Sequence, residues 1–181
     1  MTVMVNSELA DLIRYSVYAA RKVFQIQKRI RPMFHYVTST GEHRICLIPE
    51  ALLKLRDDGL VDLFMQHVLR RHDAVAVIQV AEAWLLHMSG DQVDASGGWK
   101  TVVDGMDNHP DRQKVLFFLA QDDEQLIRVR IPVHGEGDEA SLGEAEVDEV
   151  SHVATCGSAS VFLPDPVEAE GPTEATRDPD F

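Results

Sequence analysis

KVLFFLAQ (114–121), DDEQ (122–125) and LIRVRIPV (126–133) form the stretch on which the fold turns. Two apolar runs flank a short acidic turn, the pattern of a β-hairpin. With a four-residue loop, Leu116, Phe118 and Ala120 face Ile127, Val129 and Ile131, giving one wholly apolar surface. The other surface sets Phe117 and Leu119 beside Arg130 and Arg128. Upstream, residues 73–86 are apolar and rich in β-branched side chains, which predicts a long central strand buried on both faces. Between them, SGDQVDASGGWKTVVDGMDNHPDR (89–112) reads as a polar loop, long enough to be a candidate functional loop.

Moving towards the N-terminus, Pro49-Glu50 opens a helical region that runs through Leu52, Leu53 and Leu55 and resumes from Leu60 to Arg71. Residues 33–48 predict a second hairpin turning at Ser39-Thr40-Gly41-Glu42, with paired residue numbers summing to 81. In that register Phe34 and Tyr36 share a core face with Ile45 and Leu47, and His35 lies opposite Cys46. Ser7 to Ile30 predicts a helix capped by Ser7, with Glu8 and Asp11 in the first turn. Its apolar arc comprises Leu9, Leu12, Ala19, Ala20, Val23, Ile26 and Ile30, and Pro32 ends it. Arg14, Arg21 and Lys28 form a basic stripe opposite. The order α-β-β-α-β-β-β favours an α+β domain over residues 1–134, with a mostly antiparallel sheet of about five strands and two or three helices.

The net charge of −13 is unevenly placed. Residues 135–181 hold 13 acids against the single cation Arg177, whereas residues 1–134 hold 17 acids and 16 bases. Residues 1–31 alone carry six bases and two acids. Acid excess, Gly and Pro predict that 135–181 is a largely disordered, flexible tail, dispensable for folding. Within it, Ser160-Val161-Phe162-Leu163 is apolar enough for a short docked strand or a peptide ligand.

No apolar run reaches the ~18 residues of a membrane span. The opening MTVMVNSELADL lacks the basic start of a secretory signal. Cys46 and Cys156 fit no metal spacing or disulfide framework, so a reducing cytoplasm is the expected location. Phosphate-binding glycine loops, nucleophile elbows and zinc-protease signatures do not occur. No cofactor or metal is expected, and the nearly neutral body argues against direct nucleic-acid binding.

Several candidate groups have an ordinary structural counterpart. His35 beside Cys46 suggests an activated thiol, but buried cysteines on strands are common and no orienting third residue can be assigned. His67 and His72, five apart, do not share a helix face as metal ligands must. His109 and Asp111 would join Glu82 as ligands only if the fold brings them together. Glu82, on a strand face with Ile78, Val80 and Trp84, is either a general base or half of a buried salt bridge to an arginine such as Arg112, and the bridge is preferred. The Phe117/Arg130 and Leu119/Arg128 rows offer a stacking surface, although arginine stems ordinarily lie over an outer sheet face.

The run AVAVIQVAEAWLL (74–86), followed by HPDRQKVLFFLAQDDE (109–124), resembles a pattern of short uncharacterised proteins of bacteria and their phages. In that pattern a strand ending in EAW precedes HPDR and a further strand. The resemblance implies no activity. It points to a prokaryotic or phage origin and to Glu82, Trp84, His109, Asp111 and Arg112 as candidate binding residues, beside Phe117, Arg128 and Arg130.

The sequence thus favours a non-enzymatic interaction or regulatory protein whose outer sheet face or long loop binds a protein partner. One alternative is an acidic nucleic-acid mimic that inhibits a nucleic-acid-binding protein. Another is a metal-dependent hydrolase using Glu82, His109 and Asp111.

Overall fold

A computed structural model describes residues 7–55 and 58–152. The chain is α+β. Seven strands form an antiparallel sheet: β1 (Met33–Thr38), β2 (His43–Leu47), β3 (Ala74–Leu85), β4 (Gln113–Gln121), β5 (Gln125–His134), β6 (Ser141–Leu142) and β7 (Glu146–His152). Their order is β2-β1-β3-β4-β5-β6, and β7 also pairs with β5. The helices are α1 (Ser7–Gln27), α2 (Glu50–Lys54), α3 (Asp58–Arg71), α4 (Gly90–Ala95) and α5 (Trp99–Gly105). None of the described helices is long and apolar enough to cross a membrane.

The β4–β5 hairpin has the register its alternation dictates. Leu116 pairs with Ile131, Phe118 with Val129 and Ala120 with Ile127, all buried. Asp122 fixes the turn, its Oδ1 accepting from the N–H of Glu124 and of Gln125. β3 is central, flanked by β1 and β4.

Helix α1 lies on this apolar surface. Its core stripe is Leu9, Leu12, Ser16, Ala20 and Phe24, about one residue per turn, packed with Ile78, Val80, Phe118 and Val129. The expected arc was therefore placed too far round: Ile26 lies roughly 100° from Leu9 at ~100° per residue, and it is 83% exposed. The helix stops before Pro32 because Lys28 takes a left-handed conformation (φ 57°) while donating to the Phe24 carbonyl. On the second sheet face, Phe34, Tyr36 and Val77 meet Met65 and Leu69 of α3.

Three expectations are corrected. In the β1–β2 hairpin the pairs sum to 80, with Phe34 opposite Cys46 and His35 opposite Ile45. Thr38 and Glu42 close a three-residue loop in which Gly41 has φ +79°. The Thr38 Oγ1 accepts from the Glu42 N–H and hydrogen-bonds to Thr40. Changing the loop from an even to an odd length turns every β2 side chain over. Phe34 and Tyr36 therefore share their face with Cys46 and Arg44, whereas Ile45 and Leu47 share α1's side with His35 and His43.

The supposed polar loop holds α4, α5 and a 3-10 turn at Met106–Asn108. Ser89 and Gln92 make a reciprocal capping box at the start of α4. Finally, the sheet continues past residue 134. β6 pairs with Val133 and His134, β7 pairs with Gln125–Arg130, and Ala140 enters the core. The acidic segment expected to be a disordered tail from Gly135 is thus ordered to His152; residues 153–181, with Cys156 and the Val161-Phe162-Leu163 run, lie outside the described residues.

Candidate functional site

The EAW strand end and the HPDR turn meet on α1's side of the sheet. Glu82 and Trp84 follow Val80 on β3, and Trp84 pairs with Lys114 on β4. HPDR is a tight turn: the Arg112 N–H donates to the His109 carbonyl, and the Asp111 N–H donates to His109 Nδ1. This turn carries the Arg112 guanidinium over the Trp84 ring, 4.0 Å from its centroid, while Nη1 donates to the Met106 carbonyl.

Glu82 does not bridge to Arg112. Its Oε2 pairs with Lys114 Nζ at 2.5 Å, and its Oε1 accepts from the Ile30 N–H at 2.7 Å. The carboxylate therefore satisfies an N–H in the segment where α1 turns into β1. The Glu82 carboxylate and the His109 ring thus have separate local partners, and among the described residues no group of three His, Cys, Asp or Glu could hold a metal ion.

Phe117, Arg128 and Arg130 lie on the opposite face, so the sequence candidates do not form one constellation. Arg130 stands opposite Phe117 and Glu146; its Nε pairs with the Glu146 carboxylate at 3.2 Å, and its Nη1 lies 3.3 Å from His87 Nε2. Arg128 stands opposite Leu119 and Glu149 in the strand register. The basic stripe is divided too. Arg14 pairs with Asp11. Arg21 donates to the Gly143 carbonyl and Lys28 to the Ala140 carbonyl, tying α1 to the segment around β6.

A cluster that sequence reasoning missed lies between α1 and the first hairpin. Buried Ser16 Oγ is 3.0 Å from His35 Nδ1, and His35 Nε2 is 3.0 Å from His43 Nδ1. The Tyr15 ring packs edge-on against His35 and tilted against His43. Burial, reinforced by neighbouring His43, lowers the His35 pKa to about 4. A neutral imidazole supplies one donor and one acceptor, which matches a hydrogen-bond neighbour at each ring nitrogen. The Ser16 hydroxyl is buried against the sheet, so this chain holds α1 to the hairpin and does not present a nucleophile.

The suspected thiol–imidazole pair is overturned. Cys46 is on the other face from His35, and burial pushes its thiol pKa up, the reverse of activation. Finding the His35–His43 relation from sequence required the odd loop length, since only then do these rings become diagonal neighbours on one face.

The margin beside this cluster faces outward. β2 is the sheet's first strand, paired only with β1 among the described residues. Ile45 is 55% exposed, Leu47 48% and Tyr15 53%. Ile48 N–H donates to the Pro32 carbonyl and Thr38 N–H to the Glu42 carbonyl. The even-numbered residues of β2 thus direct their main-chain groups at β1, and Ile45 and Leu47 direct theirs at the open edge.

No family model, curated protein or solved structure matches the chain.

Proposed function

We propose that this is a protein-interaction protein of bacterial or phage origin that receives an extended segment of a partner along β2. The exposed Ile45–Leu47 edge, unpaired among the described residues, carries this reading. An edge strand offers main-chain donors and acceptors, and natural proteins usually guard such edges with charge or proline. Here two of the three outward positions, Ile45 and Leu47, carry apolar side chains, and Tyr15 packs against His43 at the third. The acids give less support to a nucleic-acid mimic, because Glu146 is already paired with Arg130. Glu82 likewise serves Lys114 and Ile30, which favours binding over hydrolysis.

The test uses the intact chain and an Ile45→Lys/Leu47→Lys variant as baits in bacterial extract, with crosslinks mapped to residues. Partner crosslinks at β2 and Tyr15 that vanish in the variant are expected. Partners retained by the variant, or crosslinked instead at Phe117 and Arg130, would overturn the reading.

A further inference from the structure

We infer that the β2 edge, when no partner holds it, takes a second copy of the chain: two β2 strands pair antiparallel about a two-fold axis through Ile45. That a partner strand must compete with this self-pairing rests on the reading of β2 as an interaction edge. The pairing itself does not.

The main chain fixes the register. Phe34 is opposite Cys46 and Tyr36 opposite Arg44, and the flanking hydrogen bonds, Thr38 to Glu42 and Ile48 to Pro32, also join even-numbered residues. The N–H and C=O groups of His43, Ile45 and Leu47 therefore point away from β1. This set has a middle member. A second strand centred on Ile45 sets Ile45 against Ile45 and His43 against Leu47, so every outward group of both strands gains a partner. An axis at Arg44 would set two guanidinium-bearing residues opposite each other and Leu47 against Gly41 of the turn. An axis at Cys46 would carry His43 onto Pro49, which has no N–H to donate.

The side chains agree with the Ile45 axis. On α1's side of the sheet, exposed Ile45 meets the Ile45 of the second copy. Exposed Leu47 meets that copy's His43, beside which the Tyr15 ring sits 6.1 Å away between centroids. Leu47 and Tyr15, both open to water in one copy, thus come together across the pair. On the other face Arg44 is opposite Cys46, and no like charges are directly opposed. The ends are complementary as well. Exposed Arg31 precedes Pro32, whose carbonyl binds Ile48, so it lies at the Leu47 end of β2; exposed Glu42 lies at the His43 end. An antiparallel pair brings each arginine end to the other copy's glutamate end.

The contact is isologous, so it uses up both edges and stops at two copies. Five strand residues and the Tyr15 wall are few beside the roughly 20–30 residues a side of a standard stable interface. The pair is therefore reversible, which leaves β2 open to a partner strand.

The experiment is sedimentation of the full-length protein from about 10 μM to about 1 mM, the range in which so small a contact acts. The average mass should rise from one copy towards two. In Ile45→Lys, which puts two ammonium groups on the axis, dissociation should be at least ten-fold easier, with the far-ultraviolet spectrum unchanged. A single copy throughout the range, or an equally stable pair in Ile45→Lys, would overturn the inference. Either result would leave partner crosslinks at β2 standing, whereas self-pairing without such crosslinks would sink the partner reading alone. The register is read in a mixture of differently labelled copies. Intermolecular NOEs between the Cα protons of Arg44 and Cys46 are expected, because this is a close, non-hydrogen-bonded pair. Intermolecular NOEs confined to other elements, such as exposed Leu60 and Leu63 of α3, would place the contact elsewhere and overturn the inference.

Discussion

The Arg112 guanidinium lies over the Trp84 ring, 4.0 Å from its centroid, and this one contact joins the EAW strand end to the HPDR turn. Within the turn the Asp111 N–H donates to His109 Nδ1, and the turn brings the guanidinium to the indole. Trp84 is 39% exposed, so the stack lies partly in water. Arg112→Ala should cost about 0.5–1 kcal/mol, the scale of an exposed cation–π pair. Tryptophan emission should shift as the ring loses its cover, while Arg112→Lys restores the charge without the planar guanidinium. An unchanged denaturation midpoint and emission in Arg112→Ala would show that the contact is not maintained in solution.

Glu82 serves two donors at once, so its replacements should separate them. Glu82→Ala leaves the Ile30 N–H without its acceptor and Lys114 without its counter-charge. A loss of about 2–3 kcal/mol is expected, between the cost of an unsatisfied buried group and that of a broken buried pair. Glu82→Gln keeps an oxygen for Ile30 and should lose about 1 kcal/mol. Chemical denaturation of the two variants measures this. Equal losses would place the whole effect in the ion pair.

How much of this was legible beforehand depended on which physical signal fixed each register. The β4–β5 hairpin was legible because both strands alternate cleanly, and only one pairing puts Leu116, Phe118 and Ala120 against Ile127, Val129 and Ile131. In β2 the alternation is weak: Arg44, Ile45, Cys46 and Leu47 suit either register, so the loop decides. Local turn bonds from Thr38 and the left-handed Gly41 made the loop odd, and Ile45 moved from expected core to open edge. Capping by Ser89 and Gln92 was written in the sequence but masked by the surrounding polar residues. For β7, acid composition suggested disorder, yet Glu146 finds Arg130 across the strand pair, a non-local compensation that composition does not reveal. Of the candidate site, Trp84 and Arg112 do meet, whereas the expected Glu82–Arg112 bridge is replaced by Lys114, and the Ser16–His35–His43 chain depended on the hairpin register.

His35 should make stability fall with acid. Its pKa is lowered from 6.5 to about 4 in the fold, so the folded chain favours the neutral ring. The unfolded chain binds the proton first as pH drops below 6.5, and the stabilisation from the neutral ring is lost progressively until about pH 4. Melting temperature measured from pH 7 to 4 should decline through this window. In His35→Gln, which keeps a hydrogen-bonding side chain without the titration, the part of the decline due to this ring should disappear. A variant with an undiminished acid slope would assign the effect to other groups.

Removing residues 134–181 should damage the fold, contrary to what composition suggests. The cut strips β6 and β7 from β5, removes Ala140 from the core, and takes away the carbonyls that hold Arg21 and Lys28. Loss of at least ~2 kcal/mol, or an insoluble product with an open β5 edge, is expected. A cut after His152 keeps every one of these contacts and should shift the midpoint much less. Calorimetry on the two truncations decides between an integral and a dispensable 135–152 segment. A cooperative, unshifted transition in the shorter chain would make the segment dispensable.

Gly41 tests whether the odd loop sets the register. Its φ of +79° disfavours any residue with a Cβ, yet a Cβ built there meets nothing within 4 Å. The cost of Gly41→Ala is therefore conformational rather than steric, about 1 kcal/mol, and Gly41→Asn should cost less because asparagine tolerates the left-handed region. If the loop governs pairing, both variants keep the Phe34–Cys46 register and differ only in stability. Cross-strand NOEs between the Cα protons of β1 and β2 read the register directly. Should Gly41→Ala instead shift the pairs to a sum of 81, Ile45 and Leu47 would turn towards α3. Their exposure beside Tyr15 would vanish, and with it the edge on which partner binding depends.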